Sequence, residues 1–215
     1  MAQIFPEWTN KLPLVLVFAV ILFVSCAVGF FWYYGSPKYT DVGYRPKQPV
    51  PYSHKLHAGD LGLDCRYCHV TVETSPVAII PPTQTCMNCH RIILPKSDKL
   101  LPVRESWATG IPLKWIRVHK LPDYVYFDHR AHIRAGIGCI SCHGNVAEME
   151  VVEQKQPLSM SWCLDCHRNP DRYLRPVNQV TNMKWVSPGN QMEIAARMKQ
   201  ELGIVPPVDC SGCHR

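Results

Sequence analysis

The chain has 215 residues, enough for one or two domains, with a formal charge of +6 and an ordinary hydrophobic share of 47%. Its Lys and Arg residues form no runs, which argues against a nucleic-acid partner. What departs from an average composition is 11 Cys, 10 His and 19 Pro.

Residues 1–11 are short and mixed in polarity, with Trp8 and Lys11. From Leu12 to Tyr34 there is no charge. At about 1.5 Å per residue in a helix, this stretch crosses a hydrocarbon core of roughly 30 Å. Pro13 suits a first helical turn, and Phe30 to Tyr34 form an aromatic belt with Trp8 at the other end. A cleaved signal peptide is disfavoured by the length of the run and the lack of an Ala-x-Ala site before the aromatics. Lipoprotein processing at Cys26 is disfavoured because the chain stays apolar beyond it, so Cys26 reads as a small membrane-buried residue. Residues 35–53, rich in Gly, Pro and Lys, read as an extended linker leaving the membrane.

Beyond the linker, ten cysteines fall into five Cys-x-x-Cys-His motifs: Cys65/Cys68/His69, Cys86/Cys89/His90, Cys139/Cys142/His143, Cys163/Cys166/His167 and Cys210/Cys213/His214. This is the attachment signature of c-type haem. Two thiols three residues apart share one face of a helical turn and can reach the two vinyl groups of one porphyrin. The histidine that follows faces the iron. A disulfide framework does not place a histidine after every second cysteine, zinc knuckles do not require that histidine, and a thioredoxin-like motif occurs once rather than five times. The motifs therefore imply five covalently bound haem c groups, and their propionates, two per haem, outweigh the +6 charge.

Five histidines lie outside the motifs: His54, His57, His119, His129 and His132. Their number matches the five second axial positions. Tyr52-Ser53-His54-Lys55-Leu56-His57 before Cys65 has the pattern of Phe127-Asp128-His129-Arg130-Ala131-His132 before Cys139, an internal repeat with units at about 54–90 and 129–167 and a fifth motif at 210–214. Histidines at i and i+3 point to the same side of a helical turn and can serve two irons lying side by side, so each His-x-x-His pair is expected to clamp two haems. His119 lacks a pair, and its rivals are thioethers. Met149 and Met160 are candidate ligands to one haem, with Met183, Met192 and Met198 nearer the fifth motif.

Pro95 to Leu121, with Trp107 and Trp115, reads as irregular structure wrapping haem faces. Residues 190–202 read as a helix: Asn190 caps it with Glu193 reaching back, Glu193 and Arg197 form an i,i+4 pair, Ile194, Met198 and Leu202 line one face, and Gly203 ends it. This helix is expected to brace the last haem. Arg91, Arg130, Arg134 and Arg168 read either as partners of propionates or as solvated charges.

The expected fold is mostly irregular with short α-helices, a multihaem cytochrome c fold organised around stacked haems, plus one N-terminal transmembrane helix. Its parts are 1–11, the anchor 12–34, the linker 35–53 and the pentahaem domain 54–215. Lys11 and Lys38 leave the positive-inside rule undecided. Thioether attachment of haem outside the bacterial inner membrane puts residues 1–11 in the cytoplasm and the bulk of the chain in the periplasm.

The anchor, the segment Val118-His119-Lys120-Leu121-Pro122-Asp123-Tyr124-Val125-Tyr126-Phe127 with its His-x-x-His, and Met160-Ser161-Trp162-Cys163-Leu164-Asp165-Cys166-His167-Arg168 are similar to the pentahaem membrane-anchored cytochrome c subunit of alternative complex III. That resemblance covers nearly the whole chain. It implies a quinol-oxidising respiratory complex with an iron–sulfur subunit, quinol-binding membrane subunits, and a monohaem cytochrome or an oxidase as acceptor. It also allows one His/Met-ligated haem. Irons with two protein ligands leave no place for substrate, so the residues point to electron conduction by a carrier subunit rather than an enzyme in its own right. Two alternatives are a self-contained quinol dehydrogenase and a multihaem reductase. The reductase class usually departs from Cys-x-x-Cys-His at one haem, and all five motifs here are intact.

Overall fold

The computed structural model describes residues 4–214. It divides into two compact units, residues 1–41 and 42–215.

In the first unit a 3-10 turn, Glu7–Lys11, leads into a single helix, Leu12–Tyr34, with Pro13 in its first turn and Gly35 closing it through a bond from its N–H to the Phe31 carbonyl. No residue of the helix is buried within the protein. Among the described residues this is one helix long and apolar enough to cross a membrane. At about 1.5 Å per residue its 23 residues reach roughly 35 Å. Phe30 and Tyr34 pack at 4.5 Å and Tyr34 and Tyr39 at 4.6 Å, an aromatic cluster of the kind that sits at headgroup level.

The second unit is a chain of short helices joined by irregular segments. Among the described residues there are no strands, only two isolated bridges, Val125 to His214 and Ile137 to Leu174. The stretch expected to be an extended linker, 35–53, is not extended throughout: Pro37–Thr40 is a helical turn in the first unit, residues 42–43 lie in a turn with Gly43 at φ 87°, and in the second unit only residues 44–48 run extended, fastened to the rest of that unit. Gly43 donates to the Gln154 carbonyl, Gln154 to the Tyr44 carbonyl, and the Gln48 amide grips both backbone groups of Ile116.

Two small apolar clusters do the side-chain packing. Val50, Met87 and Val103 meet under Leu100, Leu113 and Trp115, which seats the second motif. Ile137, Leu174, Ala195 and Met198 form the other, with Tyr173, Ile194 and Ile204 against them. Leu174, Val103 and Val180 are fully buried, each worth about 1.5–3 kcal/mol.

The helix expected at 190–202 runs Gln191–Leu202, and its caps are those expected. Asn190 Oδ1 accepts from Met192 N–H, Asn190 Nδ2 donates to Glu193, and Gly203 adopts φ 61° at the C-cap. Leu202 is exposed, so the buried stripe is Ile194, Ala195 and Met198. The helix packs on Ile137 and Leu174, the approach to the third motif, rather than bracing the fifth. The segment expected to be irregular, Pro95 to Leu121, contains a helix, Leu101–Thr109, with Pro102 in its first turn and Gly110 at φ 72° as its C-cap. Its buried side holds only Val103 and Ser106, too few apolar positions to announce a period.

Candidate functional site

Each Cys-x-x-Cys-His motif sits on a helical turn: Cys65–Cys68, Thr83–His90, Cys139–His143, Met160–Arg168 and Cys210–Cys213. Three of the turns start on a side-chain cap that satisfies an orphan N–H. Asp64 accepts from Arg66, Ser159 from Trp162 and Asp209 from Gly212. Asp64 also accepts from the Arg66 guanidinium and from Thr181, and the Arg66 bond holds its carboxyl down at about 2.

Backbone carbonyls fix four of the five motif histidines. His69 Nδ1 donates to Ile79, His90 to Ile93, His167 to Pro207 and His214 to Tyr124. A carbonyl can only accept, so Nδ1 carries the proton and Nε2 presents its lone pair. The same holds for three histidines outside the motifs: His57 Nδ1 donates to Ser53, His132 to Asp128 and His129 to Pro76.

The two His-x-x-His segments repeat in three dimensions. Tyr52 stacks on His57 at 4.4 Å and meets His54 edge-on at 4.8 Å. Phe127 lies on His132 at 4.5 Å with the rings tilted by 30° and meets His129 edge-on at 4.7 Å. Both second histidines bond the carbonyl four residues back. The segments differ in the turn itself: Lys55–Asp60 is a π-helical turn, whereas His129–Arg134 is α-helical, capped by Asp128.

Opposite these segments stand motif histidines. His57 and His90 rings are 6.2 Å apart, His129 and His143 6.5 Å with planes within 8°, and His132 and His167 6.0 Å. Two imidazoles bound to one metal from opposite sides, with bonds of about 2 Å, have centroids roughly 6 Å apart. The centroid separations of the three pairs match that spacing. His54 is half-buried beside His69 and His57, and its Nδ1 has no partner. Burial first, and these two neighbours second, push it down to about 4, so it stays neutral, as a ligand must. His119 packs edge-on to His143 at 4.4 Å with its Nε2 buried and unpartnered. The ring beside His214 is Tyr124, at 5.8 Å.

Met149 is buried, with its methyl beside Gly144 next to His143, whereas Met160 is exposed at the start of its helix. Met198 is core and Met192 exposed; Met183 is half-buried. Of the four arginines singled out from the sequence, Arg130 is tied to Asp128 at 2.6 Å and Arg91 bonds the Met87 carbonyl, while Arg134 and Arg168 are exposed. Sequence reasoning missed Arg175. It is buried beside Gly138 and Cys139, bonds the Asn182 carbonyl, lies over the Trp185 ring at 4.9 Å, and keeps Nε unpartnered. A lone Arg between Leu174 and Pro176 carries no motif that could have marked it.

The donor chemistry suits haem better than a chelated ion. Among the described residues no three His, Cys, Asp or Glu side chains converge as a chelating cluster, and all the cysteines are free. Haem needs only two protein ligands on its iron and two thiols at its edge. The small side-chain core agrees: ten hydrophobic residues are buried among those described, few for a chain this long, so apolar burial has to come from another source.

Comparison with known proteins agrees. Residues 125–215 match the family model described as cytochrome c7 and related cytochrome c. The chain is 30% identical over 146 residues to the multihaem cytochrome c subunit of menaquinone reductase from Nitratidesulfovibrio vulgaris, covering 58% of this chain and 70% of that protein. With its motifs, its histidine geometry and this relationship together, the chain belongs to the multihaem cytochrome c family, electron-transfer proteins that bind haem c covalently.

Proposed function

We propose that all five motifs carry haem c and that the chain is the electron-conducting subunit of a membrane quinone/quinol complex. The observation that carries this reading is the set of three histidine pairs at 6.0–6.5 Å. Haem c supplies a reversible one-electron couple when bound. The motif cysteines would attach it covalently, and the motif histidines would each supply one ligand to its iron. His57, His129 and His132 would supply the second ligand at the second, third and fourth motifs. His54 is placed to do so at the first motif. His119 and Met149 are the remaining candidates for a second ligand, and both lie beside the third motif. At the second, third and fourth motifs a second histidine stands where a substrate would bind, so those sites would conduct rather than catalyse.

In this reading Leu12–Tyr34 anchors the chain in the bacterial inner membrane, residues 35–53 lead out of it, and residues 54–215 stand in the periplasm. Electrons pass from quinol-binding membrane subunits and an iron–sulfur subunit to a periplasmic cytochrome c or an oxidase, as the resemblance to alternative complex III implies. The relative's name, menaquinone reductase, favours a second reading in which electrons run the other way, into the quinone pool.

One preparation tests the reading. The chain is extracted in mild detergent, its haem content is taken from the intact mass, and reduced quinol is added while the haem absorbance is followed. Five haems, co-purifying membrane and iron–sulfur subunits, and haem reduction by quinol are expected. Extraction of this chain by itself refutes the subunit reading. A strong high-spin ferric signal refutes pure conduction. Haems that quinol leaves oxidised, but that menaquinone reoxidises once dithionite has reduced them, support the reverse direction.

A further inference from the structure

The five motifs follow one another in sequence, but the contacts between them run in a different order. We propose that the attachment sites stand in a single row in the order second, first, third, fourth, fifth, with the two repeat units joined through Cys65 and Cys139. This rests on the five-haem conducting reading above and adds to it the path and its two ends.

The second and first sites are joined twice. Asn88, between Cys86 and Cys89, donates to the hydroxyl of Tyr67, between Cys65 and Cys68, at 3.3 Å. The His54–His57 segment also reaches both, with His57 facing His90 and His54 within electrostatic range of His69. The third and fourth sites are joined by the matching clamp, His129 facing His143 and His132 facing His167. The fourth and fifth sites are joined through Pro207, whose carbonyl takes the His167 Nδ1 proton three residues before Cys210. The backbone leading into the second clamp is tied to the fifth motif as well, Tyr126 N–H to the Cys213 carbonyl at 2.9 Å.

The link that sets the order is the one between repeats. Val180 and Thr181 are consecutive. The Val180 carbonyl accepts from Cys139 N–H at 2.9 Å, and the Thr181 hydroxyl donates to Asp64, the residue before Cys65, at 2.8 Å. Two adjacent residues thus pin the first cysteine of the first motif to the first cysteine of the third, and the two thiols lie side by side. Pro76, in the loop after His69, tightens the seam by accepting from both the backbone N–H and Nδ1 of His129. With haem attached, the sulfurs would mark the vinyl edges of the two porphyrins, which would then face each other across the seam.

Exposure of the cysteines agrees with a row. Among the ten motif cysteines only Cys89 and Cys210 are exposed, one in the second motif and one in the fifth. Those of the first, third and fourth motifs are all partly covered. Electrons would enter at one of these ends and leave at the other. The redox partners are then expected at Cys86–His90 and at Cys210–His214, not around the middle sites.

A density map of the haem-loaded protein in its membrane complex tests the order. The expected result is five porphyrins with nearest neighbours second–first, first–third, third–fourth and fourth–fifth, and the second and fifth sites farthest apart. Five porphyrins in any other neighbour order overturn the proposed row and leave the conducting reading standing. Fewer than five porphyrins, confirmed by the intact mass, overturn the five-haem reading and the row with it.

Discussion

Replacing Arg175 by Gln tests whether a buried cation sets the potential of the middle of the row. Arg175 is 7% exposed, and its guanidinium fills the space beside Gly138, where a Cβ would lie 2.4 Å from its Cζ. The next residue is Cys139, so with haem attached as proposed the charge would stand at the thioether edge of the third site and close to the first. Burial pushes the Arg175 pKa down, yet arginine remains protonated at neutral pH, and no acidic side chain is bonded to it. A unit charge about 10 Å from an iron, at an effective dielectric of about 20, interacts by about 1.7 kcal/mol, equivalent to roughly 70 mV. The cation disfavours the ferric form, whose iron-porphyrin carries one more positive charge, so removing it lowers the midpoint. A spectroelectrochemical titration of Arg175→Gln should show two of the five steps falling by tens of millivolts. Arg175→Lys, which keeps the charge, should stay near wild type. Unchanged midpoints in Arg175→Gln with full haem content, or one equal shift in all five steps, would refute the argument.

His129→Ala and His132→Ala should produce high-spin signals at different sites, the third and the fourth, because the two rings face different motif histidines. Paramagnetic resonance of the two variants reads this, and one identical defect in both would count against the clamp. Asp64→Ala removes an N-cap, an ion pair to Arg66 and the bond from Thr181. A cap of this kind is worth about 1 kcal/mol, or roughly 2–4 °C in Tm for a chain of this size. Asp64 is held at about 2 when folded, below its ordinary 3.8. Its contribution is therefore complete above that ordinary value and lost as pH falls through the window down to about 2. Thermal melts of wild type and Asp64→Asn should diverge above pH 4 and converge toward pH 2, and a gap that persists at pH 2 would exclude this linkage.

The multihaem cytochrome c character was legible in the sequence because the haem-attachment signature is written in contiguous residues. Five spacings, and two copies of aromatic-x-His-x-x-His, need no knowledge of the fold. The helix at Gln191–Leu202 was legible for a similar reason, since Asn190 and Gly203 are local signals. What it packs against was not, because that depends on Ile137 and Leu174, brought in from far along the chain. The seam was equally hidden. Thr181 and Asp64 are 117 positions apart, and neither residue type is unusual where it stands. Pairing of the spare histidines lies between these cases. The repeat implies that His57 and His132 play matching parts, and the structure sets them against His90 and His167. His119 has no repeat partner, and its place against His143 could not be read from spacing.

The difference between the two clamps follows from the way the repeats meet. Gly59 lies in the π-helical turn of the first clamp, and a Cβ there would stand 2.2 Å from the Ala147 carbonyl oxygen. Lys55 N–H, at the start of the same turn, donates to the Met149 carbonyl. The first clamp therefore packs backbone to backbone against Val146–Glu148, just after the third motif. The second clamp instead offers its first histidine, through Nδ1, to Pro76 of the first repeat. A duplicated unit that packs against its own copy head to head could keep both turns identical. Here each repeat presents a different side to the other, so one turn widens and the other stays α-helical. π-Turns are rare and concentrate at functional sites, and this one lies where the first haem-binding unit meets the second. The asymmetry allows the two units to sit with Cys65 beside Cys139 while each keeps its own His-x-x-His pair aimed at two motif histidines.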